Sequence, residues 1–178
     1  SERQKKYVEE FGIPEYDAEV ITADRELADF FEAVVVEFDD AKEVSNWVMG
    51  EFSRLLNDNE VTPARVKFEP EDLAQLLEMK EEEIISTKIA KKVFEKMFNT
   101  GQDPEAIVEK EGLKQISDSS ELEDVIEGVL ADNPSAVEDY QGGNENVIGF
   151  FVGQTMQATG GKANPQKVKE LLREKLEE

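Results

Sequence analysis

The residues of this chain best suited to chemistry are a group of cations near its C-terminal end. The 178 residues include 42 acidic and 20 basic side chains, which give a formal net charge of −22. Six of the basic side chains lie within residues 112–178, and five of those six fall in one short stretch. A net charge this negative argues against a broad electrostatic grip on nucleic acid, because such binding requires clustered Lys and Arg. We therefore predict a local positive patch on an acidic protein, formed by Lys162, Lys167, Lys169, Arg173 and Lys175.

Catalytic side chains are scarce by comparison. The chain contains no cysteine and no histidine, so disulfides, thiolate nucleophiles, imidazole bases and the commonest metal ligand are all excluded. The phosphate-binding loop, the nucleophilic serine elbow and the dinucleotide-binding glycine motif are absent as well. Adjacent acidic pairs such as Asp39–Asp40 are expected by chance among 42 acidic residues. The residues alone therefore predict a non-catalytic helical binding module and argue against a carboxylate-based enzyme.

Two predicted helices position the C-terminal cations. Asn144 is a candidate N-cap for a hydrophobic helix over residues 144–159, which a pair of glycines then ends. Asn164 is a candidate N-cap for a second helix over 165–177, with a proline at its first position. Lys162 is thus predicted to lie in a tight connection between these two helices.

Gly149 and Gly153 stand inside the first of those helices. A glycine in a helix interior costs about 0.5–1 kcal/mol relative to alanine, so two of them one turn apart predict that something approaches this face closely. The sequence favours packing against another helix of the same domain. The alternative is close approach by an external backbone, of protein or of nucleic acid.

The rest of the chain predicts an all-α fold. Apolar side chains recur at helical spacing, whereas no segment shows a convincing two-residue alternation and no repeat of fixed length is visible. Residues 64–68 could be extended for a few positions. The helical pattern lapses between Gly112 and Asp118, which predicts a boundary between two consecutive helical bundles. The predicted helices begin at Asp24 and Pro70 and otherwise cover about 41–57, 86–100, 104–112, 118–131 and 134–140.

Membrane insertion is not predicted. The apolar runs are too short to cross a bilayer, and the first ten residues are polar, without the pattern of a signal peptide. Together with the absence of cysteine, this is typical of a cytoplasmic protein.

Several segments resemble one known family. They read YVEEFGIPEYDAEVITADRELADFFE, NWVMGEFSRLLN, ISTKIAKKVFEKMFNTGQDPEAIVEKEGLKQISD and GFFVGQTMQATGGKANPQKVKELLREKL. They are similar to the C-terminal half of the B subunits of the aspartyl/glutamyl-tRNA amidotransferase family, and the last segment is also similar to the stand-alone YqeY proteins. The resemblance covers nearly the whole chain.

The resemblance implies a fragment of a larger enzyme. Residues 1–22 would be the remnant of a connection from a missing N-terminal cradle domain, residues 23–111 a helical domain, and residues 112–178 a small YqeY-like tail domain. The parent would be a cytoplasmic heterotrimer, completed by A and C subunits, that uses glutamine, ATP and magnesium to amidate Glu-tRNA(Gln) or Asp-tRNA(Asn). The catalytic and ATP sites would belong to the cradle, so the fragment itself would have no catalytic residue, cofactor or metal.

The tail domain of that family touches tRNA, which implies a role for the cation cluster. Lys162, Lys167, Lys169 and Arg173 are then the residues expected near the RNA backbone. On an ideal helix Lys169 and Arg173 are one turn apart and lie off the leucine stripe, so both can face solvent. The alternative is a protein-interaction module without direct RNA contact, in which the cations balance neighbouring glutamates and the Gly149/Gly153 face docks a partner helix.

Overall fold

A computed structural model of the chain describes residues 1–116 and 119–178 and places them in two compact units. The first unit comprises residues 1–82 and 90–112, and the tail unit comprises residues 83–89 and 113–178. The division into functional domains remains a prediction, with the ranges 1–22, 23–111 and 112–178.

The described residues are predominantly helical. One π-helical turn covers Val48–Phe52, and a short 3-10 turn covers Pro63–Arg65. The α-helices are α1 (Glu2–Glu9), α2 (Glu15–Ala23), α3 (Arg25–Glu37), α4 (Ala41–Trp47), α5 (Ser53–Asn59), α6 (Pro70–Glu81), α7 (Thr87–Thr100), α8 (Pro104–Glu111), α9 (Ser119–Asp132), α10 (Pro134–Gln141), α11 (Val147–Ala158) and α12 (Pro165–Leu176).

This architecture confirms the predicted all-α class. Within the described ranges the only β-type pairing is an isolated parallel bridge between Ile116 and Ala163. The expectation of extended backbone over 64–68 is wrong at its start, because Ala64 and Arg65 belong to the 3-10 turn. The predicted start of one helix at Asp118 lies outside the described residues. None of the described helices is both long and apolar enough to cross a bilayer.

An aromatic cluster forms the centre of the first unit. Trp47 and Phe94 meet edge to face, with their ring centroids 5.5 Å apart. Phe68 lies 5.4 Å from Phe94 and 5.8 Å from Phe52 by the same measure, and all three phenylalanines are buried. Edge-to-face aromatic pairs add about 0.5–1.5 kcal/mol beyond the burial of their area. Trp47 is therefore a core residue of the first unit.

Residues 1–22 also contribute to the first unit. Tyr7 and Ile21 are fully buried, and the Tyr7 hydroxyl donates a hydrogen bond to the carbonyl oxygen of Ala28 at 3.2 Å. Burial raises the pKa of Tyr7 to about 12, so this hydroxyl keeps its proton at neutral pH. The broken helical pattern of this stretch did not predict such burial.

The tail unit has a separate apolar core, supplied mainly by three helices. Helix α11 packs against α9 and α12, and α10 contacts all three. Apolar side chains spaced at three and four residues on α9 and α12 turn toward this centre, as their sequence pattern predicts. The buried residues of this core are Leu122, Ile126, Val129, Phe151, Ala163, Val168, Leu171, Leu172 and Leu176.

A short segment from the middle of the chain, residues 83–89, completes the tail unit. Its Ser86 hydroxyl donates to the carbonyl oxygen of Gly161 at 2.9 Å, and the Ile84 carbonyl accepts from the Gln115 amide at 2.6 Å. Ser86 also caps α7, since its hydroxyl accepts from the Ile89 amide at 3.2 Å. Nothing in the local sequence indicates the contact of Ser86 with a turn 75 residues away.

Candidate nucleic-acid interface

Helix α11 begins three residues later than its sequence indicates. The prediction that Asn144 caps this helix is wrong, because the first helical residue is Val147 and the N-cap position is Asn146, without a side-chain hydrogen bond. The backbone amide of Val147 donates to the carbonyl of Asn144 at 3.4 Å, which is a turn-like, three-residue spacing. Residues 144–146 therefore form turns that lead into the helix.

Helix α12, which carries most of the predicted cations, begins where the sequence indicates. The Asn164 side chain accepts hydrogen bonds from the amides of Gln166 at 3.0 Å and Lys167 at 3.3 Å. Pro165 occupies the first helical position, where a missing amide hydrogen has no cost. Asn164 thus fixes the start of α12 and so the direction in which its cations project.

Removal of this cap gives a direct test of the α12 boundary. We expect Asn164→Ala to lower the free energy of unfolding by about 1 kcal/mol, because two amide donors lose their acceptor. Asn146→Ala is the matched control, since Asn146 holds the same cap position on α11 without a side-chain bond, and we expect it to cost under about 0.5 kcal/mol. Urea denaturation followed by circular dichroism measures both. Equal losses would contradict the assigned role of Asn164.

The cations on α12 divide into paired and unpaired side chains. Lys175 donates to Glu127 at 2.8 Å, and this hydrogen bond raises the pKa of the Lys175 ammonium group. Lys167 lies 3.9 Å from Glu170, a loose contact between side chains of the same helix. Lys169 and Arg173 are exposed and have no carboxylate within 4.0 Å among the described residues. These two cations are therefore the ones on α12 available to an external anion.

A shallow surface groove runs beside Lys169 and Arg173. Gln166 also lines it, and so do two acidic side chains of α12 and the acidic side chain at its C-cap. The acidic residues reduce the local positive potential, while the two cations remain one helical turn apart on the exposed side. The acidic lining consists of Glu170, Glu174 and Glu177.

Lys162 lies in the turn between α11 and α12, as predicted. Its backbone carbonyl accepts a hydrogen bond from the Ile116 amide at 2.7 Å, and its side chain is half-buried. The two preceding glycines have positive φ angles, 63° at Gly160 and 82° at Gly161, which end α11 and reverse the chain. The turn therefore holds the Lys162 backbone at a fixed position.

No other part of the described chain packs closely against Gly149 or Gly153. A Cβ atom placed on either glycine would meet no atom within 4 Å outside its own helix and chain neighbours. The favoured explanation, packing against another helix of the same domain, is therefore wrong within the described residues. Both glycines lie on an exposed face of α11, with Phe150, whose exposed fraction is 45%, between them. Approach by an external backbone stays a prediction for this face.

Comparison with known proteins identifies the family. The model of the GatB domain family, shared with YqeY, matches residues 29–176. The chain belongs to the GatB domain family. The match confirms the resemblance stated from the sequence, and it spans α3 to α12.

Curated relatives agree with this GatB domain assignment. The B subunit of the aspartyl/glutamyl-tRNA(Asn/Gln) amidotransferase of Thermoanaerobacter sp. (strain X514) is 49% identical over 174 residues. The proteins of the same name from Moorella thermoacetica and Chlorobium phaeobacteroides (strain BS1) are 52% and 50% identical over 174 and 175 residues. Each alignment covers 98% of this chain and 37% of the relative. The chain thus spans little more than a third of the length of these relatives.

Proposed function

We propose that this chain is the tRNA-recognition part of the B subunit of a glutamine- and ATP-dependent amidotransferase. The parent enzyme would convert Glu-tRNA(Gln) or Asp-tRNA(Asn) to the correctly amidated form, with the A and C subunits as partners. The names of the curated relatives support this parent activity. The observation that carries the RNA-binding role is the exposed pair Lys169 and Arg173, one turn apart and without a carboxylate within 4.0 Å among the described residues.

The proposed interface is local because the chain as a whole repels a polyanion. With a net charge of −22, only a patch that brings cations close to phosphate can offset the long-range repulsion. Lys162 and Lys167 would add charge at the N-terminal end of α12, next to the exposed pair. RNA helices are recognised mainly by shape, through 2′-hydroxyl and backbone contacts, so a few well-placed donors suffice.

Catalysis is assigned to a part of the parent protein outside this chain. Among the described residues, no three Asp or Glu side chains are grouped so that they could hold a metal ion. No step of ATP-dependent activation is assigned to the carboxylates of this chain. The proposal places ATP and magnesium in the cradle domain implied by the resemblance.

The decisive experiment replaces Lys169 and Arg173 with alanine in the intact amidotransferase. We expect the KM for tRNA to rise about tenfold or more, because two phosphate contacts are lost and each contributes a salt-dependent factor to affinity. Glutamine hydrolysis measured without tRNA should be unchanged. Lys175→Ala is the control on the same helix, since Glu127 already engages that ammonium group. Unchanged tRNA dependence in the double variant would refute the RNA-binding role.

A second candidate function is docking of a helix from one of the other two subunits. The open face of Gly149 and Gly153, with half-exposed Phe150 between them, favours it. Gly153→Leu separates the two candidates in the same enzyme: a docking face predicts weakened binding of the A or C subunit with the KM for tRNA unchanged. An RNA-facing surface predicts a raised KM for tRNA with binding of the A and C subunits unchanged.

A further inference from the structure

The turn between α11 and α12 gathers residues from three distant parts of the chain. Ser86 donates to the Gly161 carbonyl at 2.9 Å, which brings the start of α7 to the turn. The Ile116 amide donates to the Lys162 carbonyl at 2.7 Å, and the Ile116 carbonyl accepts from the Asn164 amide at 3.0 Å. These bonds make the turn the meeting point of residues 83–89, 113–116 and 160–164.

Each of these three segments carries a lysine. Lys88 follows Ser86 by two positions, and its Cδ atom lies 3.1 Å from the position that a Cβ atom would take on Gly161. Lys114 precedes Ile116 by two positions, and Lys162 belongs to the turn itself. Lys88 and Lys114 are exposed, and neither forms an ion pair within 4.0 Å with the residues that the structure describes. The fold therefore brings three lysine-bearing segments together at one turn, and this cluster is not apparent in the linear sequence.

The packing of Lys88 adds to the suitability of this cluster. Its aliphatic stem runs over Gly161, where the absence of a side chain leaves room for it. A stem held in this way loses less rotamer freedom when its ammonium group binds an anion. Helices α7 and α12 also begin beside the turn, at Thr87 and Pro165, so the positive ends of their dipoles reinforce the field of the lysines.

We propose that Lys88 and Lys114 act with Lys162 as an additional site for RNA phosphates at this turn. The inference rests on the proposed function and extends it to two residues that neither the sequence pattern nor the family signature near the C-terminus indicated. The site belongs to the same unit as Lys169 and Arg173. Several cations distributed over one unit suit the repeated phosphates of a polymer, and lysine ammonium groups bind phosphate as point charges.

Binding of unacylated tRNA to the intact amidotransferase across a salt series tests this site. The double variant Lys88→Met, Lys114→Met keeps the aliphatic stems and removes both charges. We expect the slope of log affinity against log salt to fall by about 2, about one for each lost phosphate contact, with affinity near 0.1 M salt weakened about tenfold or more. The double variant Lys88→Arg, Lys114→Arg should retain the wild-type slope, because it retains both charges.

Two comparisons keep the outcomes distinct. Lys42→Met removes an exposed cation of the first unit and should leave the slope unchanged. If the double methionine variant keeps the wild-type slope while loss of Lys169 and Arg173 lowers it, the additional site is wrong and the proposed function stands. If neither pair alters the slope, both proposals are refuted. Loss of helical circular dichroism in the methionine variant but not in the arginine variant would assign the lysine charges a structural role instead.

Discussion

Replacing Phe151 with alanine will lower the free energy of unfolding by about 4 kcal/mol, whereas the same change at the adjacent Phe150 will cost under about 1 kcal/mol. Phe151 is fully buried in the tail core, between apolar side chains of α9 and α12, and Phe150 is 45% exposed. Truncation of Phe151 loses the transfer energy of the ring and leaves a cavity that the surrounding helices fill only in part. Truncation of Phe150 removes little buried apolar surface, because much of that ring is already exposed to solvent.

Denaturant unfolding followed by far-ultraviolet circular dichroism measures both variants in the 178-residue chain. The two changes are identical in chemistry and adjacent in sequence, so differences in helix propensity cancel between them. Similar losses at Phe150 and Phe151 would contradict the orientation of α11. That orientation is also what places Gly149 and Gly153 on the exposed face, so the experiment bears directly on the second candidate function.

The sequence predicts the helices well wherever the apolar spacing is regular and the ends are marked. In the predicted helix over about 41–57, the apolar side chains at helical spacing from Val44 to Leu56 are buried, although a π-helical turn interrupts the α-helix. Asn164 and Pro165 mark the start of α12 unambiguously, because both have a physical reason to stand at a helix N-terminus. Local rules are sufficient in these places, since the interactions they describe are local.

The start of α11 shows where a local rule fails. Asn144 and Asn146 are both acceptable caps by residue type, so composition cannot select between them. The Asn144 amide instead donates to the carbonyl of Asp139 at 3.0 Å. That bond extends the turn after α10 and delays the helix, and it depends on the backbone path through Gly142 and Gly143 rather than on any side-chain pattern.

Some residues of the candidate site could likewise be predicted by local rules, and others could not. Lys169 and Arg173 could be predicted from helical spacing alone, because their exposure follows from the leucine stripe on the opposite side of α12. Lys88 and Lys114 could not, since their proximity to Lys162 depends on hydrogen bonds between segments far apart in the chain. The open space over Gly149 and Gly153 could not be predicted from the sequence either. A pair of glycines in a helix indicates that something approaches closely, but it does not identify the partner.

Gly101 offers the second large effect, at the end of α7. Its φ angle is +75°, and a Cβ atom there would lie 2.8 Å from the carbonyl oxygen of Lys67. We expect Gly101→Ala to lower the free energy of unfolding by about 3 kcal/mol, of which about 1–2 kcal/mol is the cost of a left-handed conformation for a residue with a side chain. The remainder comes from the contact with backbone, which cannot move aside as the end of a flexible side chain would.

Gly112→Ala separates these two contributions. Gly112 ends α8 with a similar φ angle of +61°, but a Cβ atom there would meet nothing within 4 Å. Gly112→Ala should therefore lower the free energy of unfolding only by the cost of the left-handed conformation, about 1 kcal/mol. The sole tryptophan, Trp47, is buried in the aromatic cluster of the first unit, so its fluorescence during urea denaturation follows both variants. Equal losses at Gly101 and Gly112 would show that the backbone strain alone accounts for the effect and that the loop around Lys67 yields to the added methyl group.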